Sequence, residues 1–184
     1  MKVISGFLKG RNIKGFNIEG TRPTQDRVKE SLMASIQLHI KDAVVLDLFA
    51  GSGQLGIETI SNGAKLCYFV DNNSEVIKVL KDNIKTLDIS GYSKIILSDW
   101  KKMLNEFGVN KQKFDLIFVD PPYDYDVYEK VIKKVNELDL LNDGGLLILE
   151  YANNKFLDEY DKLIAIKEKK YGCKFIKIFK KRSS

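Results

Sequence analysis

Short, almost uninterrupted apolar runs alternate along the chain with segments in which apolar residues recur every three or four positions. The runs predict buried strands at Ala43–Leu48, Leu66–Asp71, Ile95–Asp99, Phe114–Asp120 and Leu146–Tyr151. The other segments predict amphipathic helices from Thr24 through Ile40, between Gly53 and Gly63, from Ser74 to Ile84 and from Val127 to Leu138. Strands that are apolar along their whole length are buried on both faces. The pattern therefore predicts a doubly wound α/β fold, Rossmann-like, with a mostly parallel sheet.

The two ends of the chain depart from this alternation. Leu163–Ile166 and Phe175–Phe179 flank Tyr171-Gly172 with no helix between them, which predicts an antiparallel hairpin at one edge of the sheet. Residues 2–18 mix short apolar stretches with basic residues and glycines, as in a small strand pair or an ordered arm. We expect one domain over residues 1–184, with a basic extension at 1–23 and the α/β core at 24–184.

Composition adds that the domain is globular. Of its 184 residues, 44% are apolar and 10% aromatic, which is enough to fill a core. No apolar run approaches the roughly 20 residues of a membrane span, and no secretory leader pattern opens the chain, so we expect a soluble cytoplasmic protein. Cys67, Cys173 and the single histidine, His39, are too few for a disulfide framework or a Cys/His metal site, and no metal is predicted.

The charge is concentrated at the two ends of the chain. Residues 1–30 have a net charge of +4 and residues 162–184 a net charge of +8, whereas the residues between them are net acidic. Such an asymmetry is typical of proteins that bind a polyanion through their ends. Basic ends that only keep a protein soluble would give the same pattern.

A glycine-rich loop follows the first predicted strand of the core. Gly51-Ser52-Gly53-Gln54-Leu55-Gly56 has the G-x-G-x-x-G spacing, and Asp71 lies twenty residues beyond Gly51, as in dinucleotide sites. Asp47 argues against a dinucleotide, because a carboxylate four residues before the first glycine would repel phosphates. It suits S-adenosylmethionine, which has an ammonium and a sulfonium but no phosphate.

Three acidic residues close three successive predicted strands. Asp71 would hold the ribose of such a ligand, and Asp99 would accept from the adenine amine at the carboxyl edge of the sheet. Each aspartate could instead cap the following helix or turn. Trp100 could flank the adenine ring, although a packing role fits it at least as well.

The turn Asp120-Pro121-Pro122-Tyr123 follows another buried strand and reaches the same edge. Two prolines fix the backbone of a turn that must hold a substrate. The Asp120 carboxylate and the next backbone carbonyl can accept from an exocyclic NH2 group, and the Tyr123 ring can stack on a base. A rigid turn without a substrate is the alternative.

These motifs resemble those of a known class of enzymes. Asp47–Gly53 together with Asp120–Tyr123 resembles the Class I S-adenosylmethionine-dependent amino-methyltransferases. The chain resembles the RsmD family more closely when three further segments are considered: Ile4–Gly6, Lys9–Arg11 and Thr21–Leu32. The members of that family are bacterial enzymes that methylate the exocyclic amine (N2) of one guanine in 16S ribosomal RNA. The resemblance covers about residues 1–150 and is weak in the C-terminal hairpin.

The resemblance implies roles for particular residues. Asp120 to Tyr123 would hold the flipped guanine, and Arg22, Thr24 and Arg27 would lie beside the pocket. Met33 stands where the family usually has an aromatic residue and Gln25 where threonine is frequent, but neither belongs to the site. The residues that we expect to bind the cofactor are Thr24, Asp47, Phe49, Gly51, Gly53, Asp71, Asn72, Asp99 and Trp100.

If ribosomal RNA is the substrate, the basic ends can bind its phosphates. A chain without a separate recognition domain must recognise RNA through the shape and the phosphates of the RNA. The expected partner is 16S ribosomal RNA within a small ribosomal subunit or an assembly intermediate, bound by a monomer. The candidate RNA-binding residues are Lys9, Arg11, Lys14, Arg22, Arg27, Lys177, Lys180, Lys181 and Arg182.

Three other functions stay open at this point. A DNA adenine or cytosine amino-methyltransferase would use the same turn, but it would need a recognition domain. An NAD-dependent oxidoreductase would use the glycine loop, but Asp47 opposes it. A non-catalytic RNA-binding assembly factor would have no need for Asp47, Asp71, Asp99 and Asp120 together.

Overall fold

All strands of the described chain belong to one sheet. The computed structural model describes residues 1–15, 23–122, 125–153 and 155–184. Within these residues the strands are β1 (Val44–Asp47), β2 (Leu66–Asp71), β3 (Ser93–Leu97), β4 (Phe114–Val119), β5 (Leu141–Tyr151), β6 (Glu159–Tyr160), β7 (Leu163–Tyr171) and β8 (Lys174–Lys181). Their order in the sheet is β3-β2-β1-β4-β5-β8-β7-β6. The strands β1 to β5 are parallel, and β8, β7 and β6 continue the sheet in antiparallel pairing. The predicted α/β fold with a C-terminal antiparallel hairpin is confirmed.

Helices cover both faces of this sheet. They are α1 (Pro23–Ile36), α2 (Gln54–Ser61), α3 (Ser74–Thr86), α4 (Trp100–Val109) and α5 (Tyr125–Glu137). The first face packs against α1, α2 and α3, and the second against α4 and α5. Neighbouring residues of a central strand therefore enter different cores: Phe118 of β4 lies in the first and Val119 in the second. Burial on both sides explains the uninterrupted apolar runs.

One helix and several element boundaries differ from the sequence-based expectation. The helix α4 was not predicted, although Met103, Leu104 and Phe107 give it a buried stripe at helical spacing. The strand β5 begins at Leu141, because a register shift around Gly144 allows the chain to pair before the predicted start. The helix α1 ends at Ile36, and the predicted continuation to Ile40 is a 3-10 turn.

The described part of the N-terminal extension, residues 1–15, is an ordered arm that docks on α2 and α3. Its apolar residues Val3, Leu8 and Ile13 are buried in the first core. Its backbone bonds to buried polar side chains: Ser61 Oγ accepts from the Leu8 N–H at 2.9 Å. Asn83 both accepts from and donates to the Lys14 backbone, at 2.8 and 2.9 Å. These partners give the arm a fixed path without a full strand pair.

A glycine and a buried ion pair complete this junction. Gly6 has a φ of 76°, and a Cβ there would lie 1.9 Å from the carbonyl oxygen of Ser61, so only glycine allows the arm to approach so closely. Lys29 of α1 lies 3.0 Å from Glu58 of α2, and both side chains are buried. Glu58 also accepts from the Ile4 N–H at 2.8 Å, and Lys29 donates to the Lys2 carbonyl at 3.0 Å. The pair therefore joins α1, α2 and the arm.

No helix in the described part of the chain is long and apolar enough to cross a membrane.

Breaking this ion pair is expected to destabilise the fold. In Lys29→Met, Glu58 would keep a buried charge without its cation, at a cost of about 3 kcal/mol in the free energy of unfolding. Urea unfolding followed by circular dichroism measures the change. The control is Lys81→Met on the exposed side of α3, which we expect to change stability by less than about 0.5 kcal/mol. Equal effects of the two substitutions would contradict a special role for the pair.

Candidate active site

The glycine loop joins β1 to α2 at the carboxyl edge of the sheet. Gly51 and Gly53 have φ values of 55° and 90°, and Gly53 is the N-cap of α2. A Cβ on Gly53 would lie 2.4 Å from the Leu80 side chain, whereas the space beside Gly51 is open. The loop thus packs tightly on its inner side and presents backbone to a ligand on the other. Phe49, half-buried, packs against the second core.

Asp71 ties this loop to the next strand. At the end of β2, its Oδ2 accepts from the Gly51 N–H and its Oδ1 accepts from the Asn73 N–H, both at 3.0 Å. A carboxylate has about four acceptor positions, so it can still accept from hydroxyl groups of a ligand. Asn72 beside it is exposed. Asn73, which was not among the predicted site residues, caps α3.

Asp47 lies beneath the glycine loop and is buried. Its Oδ2 accepts from the Gly56 N–H in the first turn of α2 at 3.1 Å. Burial raises the pKa of Asp47 to about 7; the Gly56 hydrogen bond lowers it and the charge of Asp71 raises it. None of these causes is a positive side chain of the described residues, so burial leaves the Asp47 carboxylate poorly compensated.

Asp99 and Trp100 lie at the start of α4. Asp99 is the N-cap of this helix and accepts from the Lys101 and Lys102 N–H groups through one oxygen, Oδ1. The capping role that the sequence left open is thus present, and binding of adenine by Asp99 stays a prediction. Trp100 is half-buried and packs against the second core.

The turn after β4 brings Asp120 to the same edge. Pro121 is buried and Pro122 is exposed. Val119 pairs with Leu149, so Asp120 lies across from Glu150 at the end of β5. By strand alternation from Val45 and Phe118 of the first core, Asp47 and Asp120 lie on the first face of the sheet.

Glu150 and Lys174 extend this row of charges on the first face. Glu150 forms an ion pair with Lys174 at the start of β8. Asp120 is open to solvent on one side, but the surrounding protein displaces much of its water. This desolvation, followed by repulsion from Glu150, raises the pKa of Asp120 to about 8; Lys174 lowers it and Asp47 raises it further. Burial lowers the pKa of Lys174, but Glu150 and Asp120 outweigh that effect and raise it.

Glu150 and Lys174 were not among the site residues predicted from the sequence. The position of Glu150 at the end of a predicted parallel strand was the one available signal. Lys174 could not be found in this way, because its place depends on how the hairpin pairs with β5.

The N-terminal basic candidates lie on the surface of the arm and of α1. Lys9 and Arg27 are exposed. Arg11 is exposed and donates to the Thr86 carbonyl at 2.9 Å. Lys14 is exposed with Asp82 3.8 Å away. Their proposed contacts with RNA stay predictions.

Two of the C-terminal candidates are buried, which corrects the expectation that they contact phosphates. Lys177 lies 2.6 Å from Asp158, and Lys181 lies 2.8 Å from Asp139 and 3.2 Å from Asp143. Their stems pack along the second face of β8, so their charges serve ion pairs within the protein.

The other C-terminal candidates are exposed but lie at the opposite end of the sheet from Asp120. Lys180 pairs in register with Leu146, near the start of the parallel part of β5. Arg182 forms an ion pair with Glu159.

Arg22 and Tyr123 lie outside the described residues, as does the side chain of Thr24. Among the residues that are described, no three His, Cys, Asp or Glu side chains are grouped as a metal site requires.

The fold is Rossmann-like, and the solved structures that it matches are methyltransferases. A family model described as "Conserved hypothetical protein 95" matches residues 1–180. The chain belongs to this family, the RsmD family of methyltransferases. This assignment replaces the oxidoreductase alternative.

Known proteins share this fold over most of the chain. The ribosomal RNA small subunit methyltransferase D of Haemophilus influenzae is 33% identical over 172 residues, which cover 94% of this chain and 89% of that protein. The solved structure of the Escherichia coli protein yhhF matches 100% of this chain and 99% of that chain, with a TM-score of 0.88 and 28% identity. SMU.776, solved in complex with SAH, shares the fold over 80% of this chain and 49% of that chain, with a TM-score of 0.67 and 13% identity.

We expect Asp71→Ala to weaken binding of S-adenosylmethionine by about tenfold or more. The substitution removes the charged acceptor of the Gly51 N–H and the protein carboxylate that would accept from the hydroxyl groups of the ligand. Isothermal titration calorimetry measures the affinity. Glu106→Ala, on the exposed side of α4, is the control with unchanged affinity. An unchanged affinity of Asp71→Ala would show that the loop binds its ligand without this residue.

Proposed function

We propose that the protein transfers a methyl group from S-adenosylmethionine to the N2 amine of one guanine in 16S ribosomal RNA. The observation that carries the proposal is the arrangement of Asp120 and its two prolines beside the glycine loop, on the sheet edge where such folds bind ligands. The relative named as a ribosomal RNA small subunit methyltransferase supports RNA as the substrate.

The charges of the site fit S-adenosylmethionine. Burial and the negative charge of Asp71 raise the pKa of Asp47. A ligand with an ammonium and a sulfonium would supply positive charge there without phosphates to repel. Gly51, Gly53 and Asp71 would hold it at the loop, with Asp99 towards its adenine end. When bound, it supplies an electrophilic methyl group.

Asp120 would act on the amine of the base. An aromatic amine is a poor nucleophile because its lone pair is delocalised into the ring. The Asp120 carboxylate and the backbone carbonyl that follows would accept its two N–H groups and favour a pyramidal nitrogen. The rate enhancement then comes from positioning and electrostatics, and the proton released from the nitrogen goes to Asp120 or to water.

Guanine suits a single carboxylate. Its N1–H and its exocyclic amine form an edge with two donors, which one ionised carboxylate can accept together. The rigid Pro121-Pro122 backbone would keep this acceptor in place while the base is outside its helix.

Methyl transfer to small ribosomal subunits from a strain that lacks this protein tests the proposal. With labelled S-adenosylmethionine, we expect label in N2-methylguanosine after nucleoside analysis. Label in another nucleoside would keep the enzyme class and change the base. Label in DNA but not in ribosomal RNA would favour the DNA amino-methyltransferase, and no transfer to either would refute the proposal.

Asp120→Asn separates chemistry from cofactor binding. The amide keeps the shape of the side chain but loses the charge, so we expect turnover to fall about 100-fold. Its affinity for S-adenosylmethionine should stay near that of the wild type in calorimetry. Asp82→Asn on α3 is the matched control with full turnover, and normal turnover of Asp120→Asn would refute the role of the carboxylate.

The pH profile tests the neighbours of Asp120. Only the ionised Asp120 carboxylate has both oxygens free to accept from the N1–H and the amine of guanine, so kcat/KM for RNA should rise with pH through the pKa of Asp120 and then level off. Glu150→Gln removes a negative charge and should move the midpoint to lower pH. Lys174→Met removes a positive charge and should move it to higher pH. Shifts in the same direction, or none, would contradict this electrostatic coupling.

A further inference from the structure

We infer that Lys167 and Lys169 of β7, with Arg27 of α1, form a surface that binds the RNA phosphates beside the target base. This inference rests on the proposed function and names the contacts that would hold the RNA. It differs from the sequence-based expectation, which placed the C-terminal contacts at Lys177 and Lys180 to Arg182.

The pairing of β8 with β5 puts the hairpin turn at the catalytic edge. Phe175 pairs with Tyr151, at the carboxyl end of β5, whereas Lys180 pairs with Leu146. The residues at the end of β7 therefore lie on the same edge as Asp120. Lys180 lies at the other end of the strand.

A β-bulge turns the lysines of β7 towards the first face of the sheet. Ala165 pairs with Phe179 of the second core, but after a register shift Lys167 pairs with Ile178 of the first. Lys169 then pairs with Ile176, on the same face. Without the bulge, strand alternation would place both lysines on the opposite face.

Contacts with α1 confirm this orientation. Lys167 Nζ donates to Ser35 Oγ at 2.6 Å, and the hydroxyls of Ser31 and Tyr171 share a hydrogen bond. Lys169 Nζ lies 5.0 Å from the centre of the Tyr171 ring. Arg27 precedes Ser31 by one turn of α1, so it lies on the same side of the helix.

The charge of this surface is available to a ligand. Lys167, Lys169 and Arg27 are exposed, and none of them forms an ion pair with another described residue. The acidic residue between the two lysines, Glu168, pairs in register with Lys177 on the second face and bonds to Tyr151 there. The bulge therefore places Lys167 and Lys169 on a different face of the sheet from Glu168.

RNA phosphate is the ligand that this arrangement fits. Lysine binds phosphate as a point charge without reading sequence, and phosphate contacts fix the orientation of a nucleic acid on a protein. Contacts here would hold the backbone while the base enters the site beside Asp120.

The test compares four double variants of the full chain in methylation of small subunits that lack the modification. One of them, K180Q/R182Q, removes two charges at the other end of the hairpin. K167Q/K169Q removes two charges from the proposed surface, and K167R/K169R retains them. K130Q/K133Q removes two exposed charges from α5, on the opposite face, as the control. KM is measured between 50 and 200 mM KCl at constant Mg²⁺, where each phosphate contact contributes roughly 0.7–0.9 to the salt slope.

We expect K167Q/K169Q to raise KM about tenfold, to lower the salt slope by about 1.5 and to leave kcat unchanged. K167R/K169R and K130Q/K133Q should keep the KM and slope of the wild type. An unchanged salt slope in K167Q/K169Q would overturn the inference. A higher KM in K180Q/R182Q together with a wild-type KM in K167Q/K169Q would also overturn it. A wild-type chain that methylates no ribosomal RNA would instead refute the proposed function.

Discussion

Parallel strands of one sheet must all end at the same edge, and in this chain the residues that meet there are acidic. Asp47, Asp71 and Asp120 come from β1, β2 and the turn after β4, and Glu150 from β5. Their mutual repulsion adds to the loss of water, which raises the pKa values of Asp47 and Asp120. The edge is therefore prepared for positive charge, and the placement of the glycine loop and the proline turn follows from the same constraint.

The protein compensates this negative charge with backbone N–H groups more than with cations. Asp71 is held by Gly51 and Asn73, and Asp47 by Gly56. These bonds position the loops of the site within the fold, so the site does not need to organise itself around a ligand. Lys174, paired with Glu150, is a cation beside Asp120 that comes from outside the parallel core.

Both ends of the chain are part of the structure, and their basic residues have two kinds of environment. The arm is fixed by buried side chains of α2 and α3, and the ion pair of Lys29 and Glu58 links it to α1. In the hairpin, Lys177 and Lys181 are buried in ion pairs, whereas Lys167 and Lys169 are exposed. A count of charges does not distinguish these two groups.

The sequence by itself determined the parallel core and the positions of the glycine loop and the Asp120 turn, because these depend on local periodicity and on where strands end. It also contained the buried stripe of α4, although that helix was not predicted. The burial of Lys177, the pair of Glu150 and Lys174, and the face on which Lys167 lies were decided by tertiary structure. The side of a sheet that a residue occupies depends on its partner strand and on bulges, and one shifted residue reverses it.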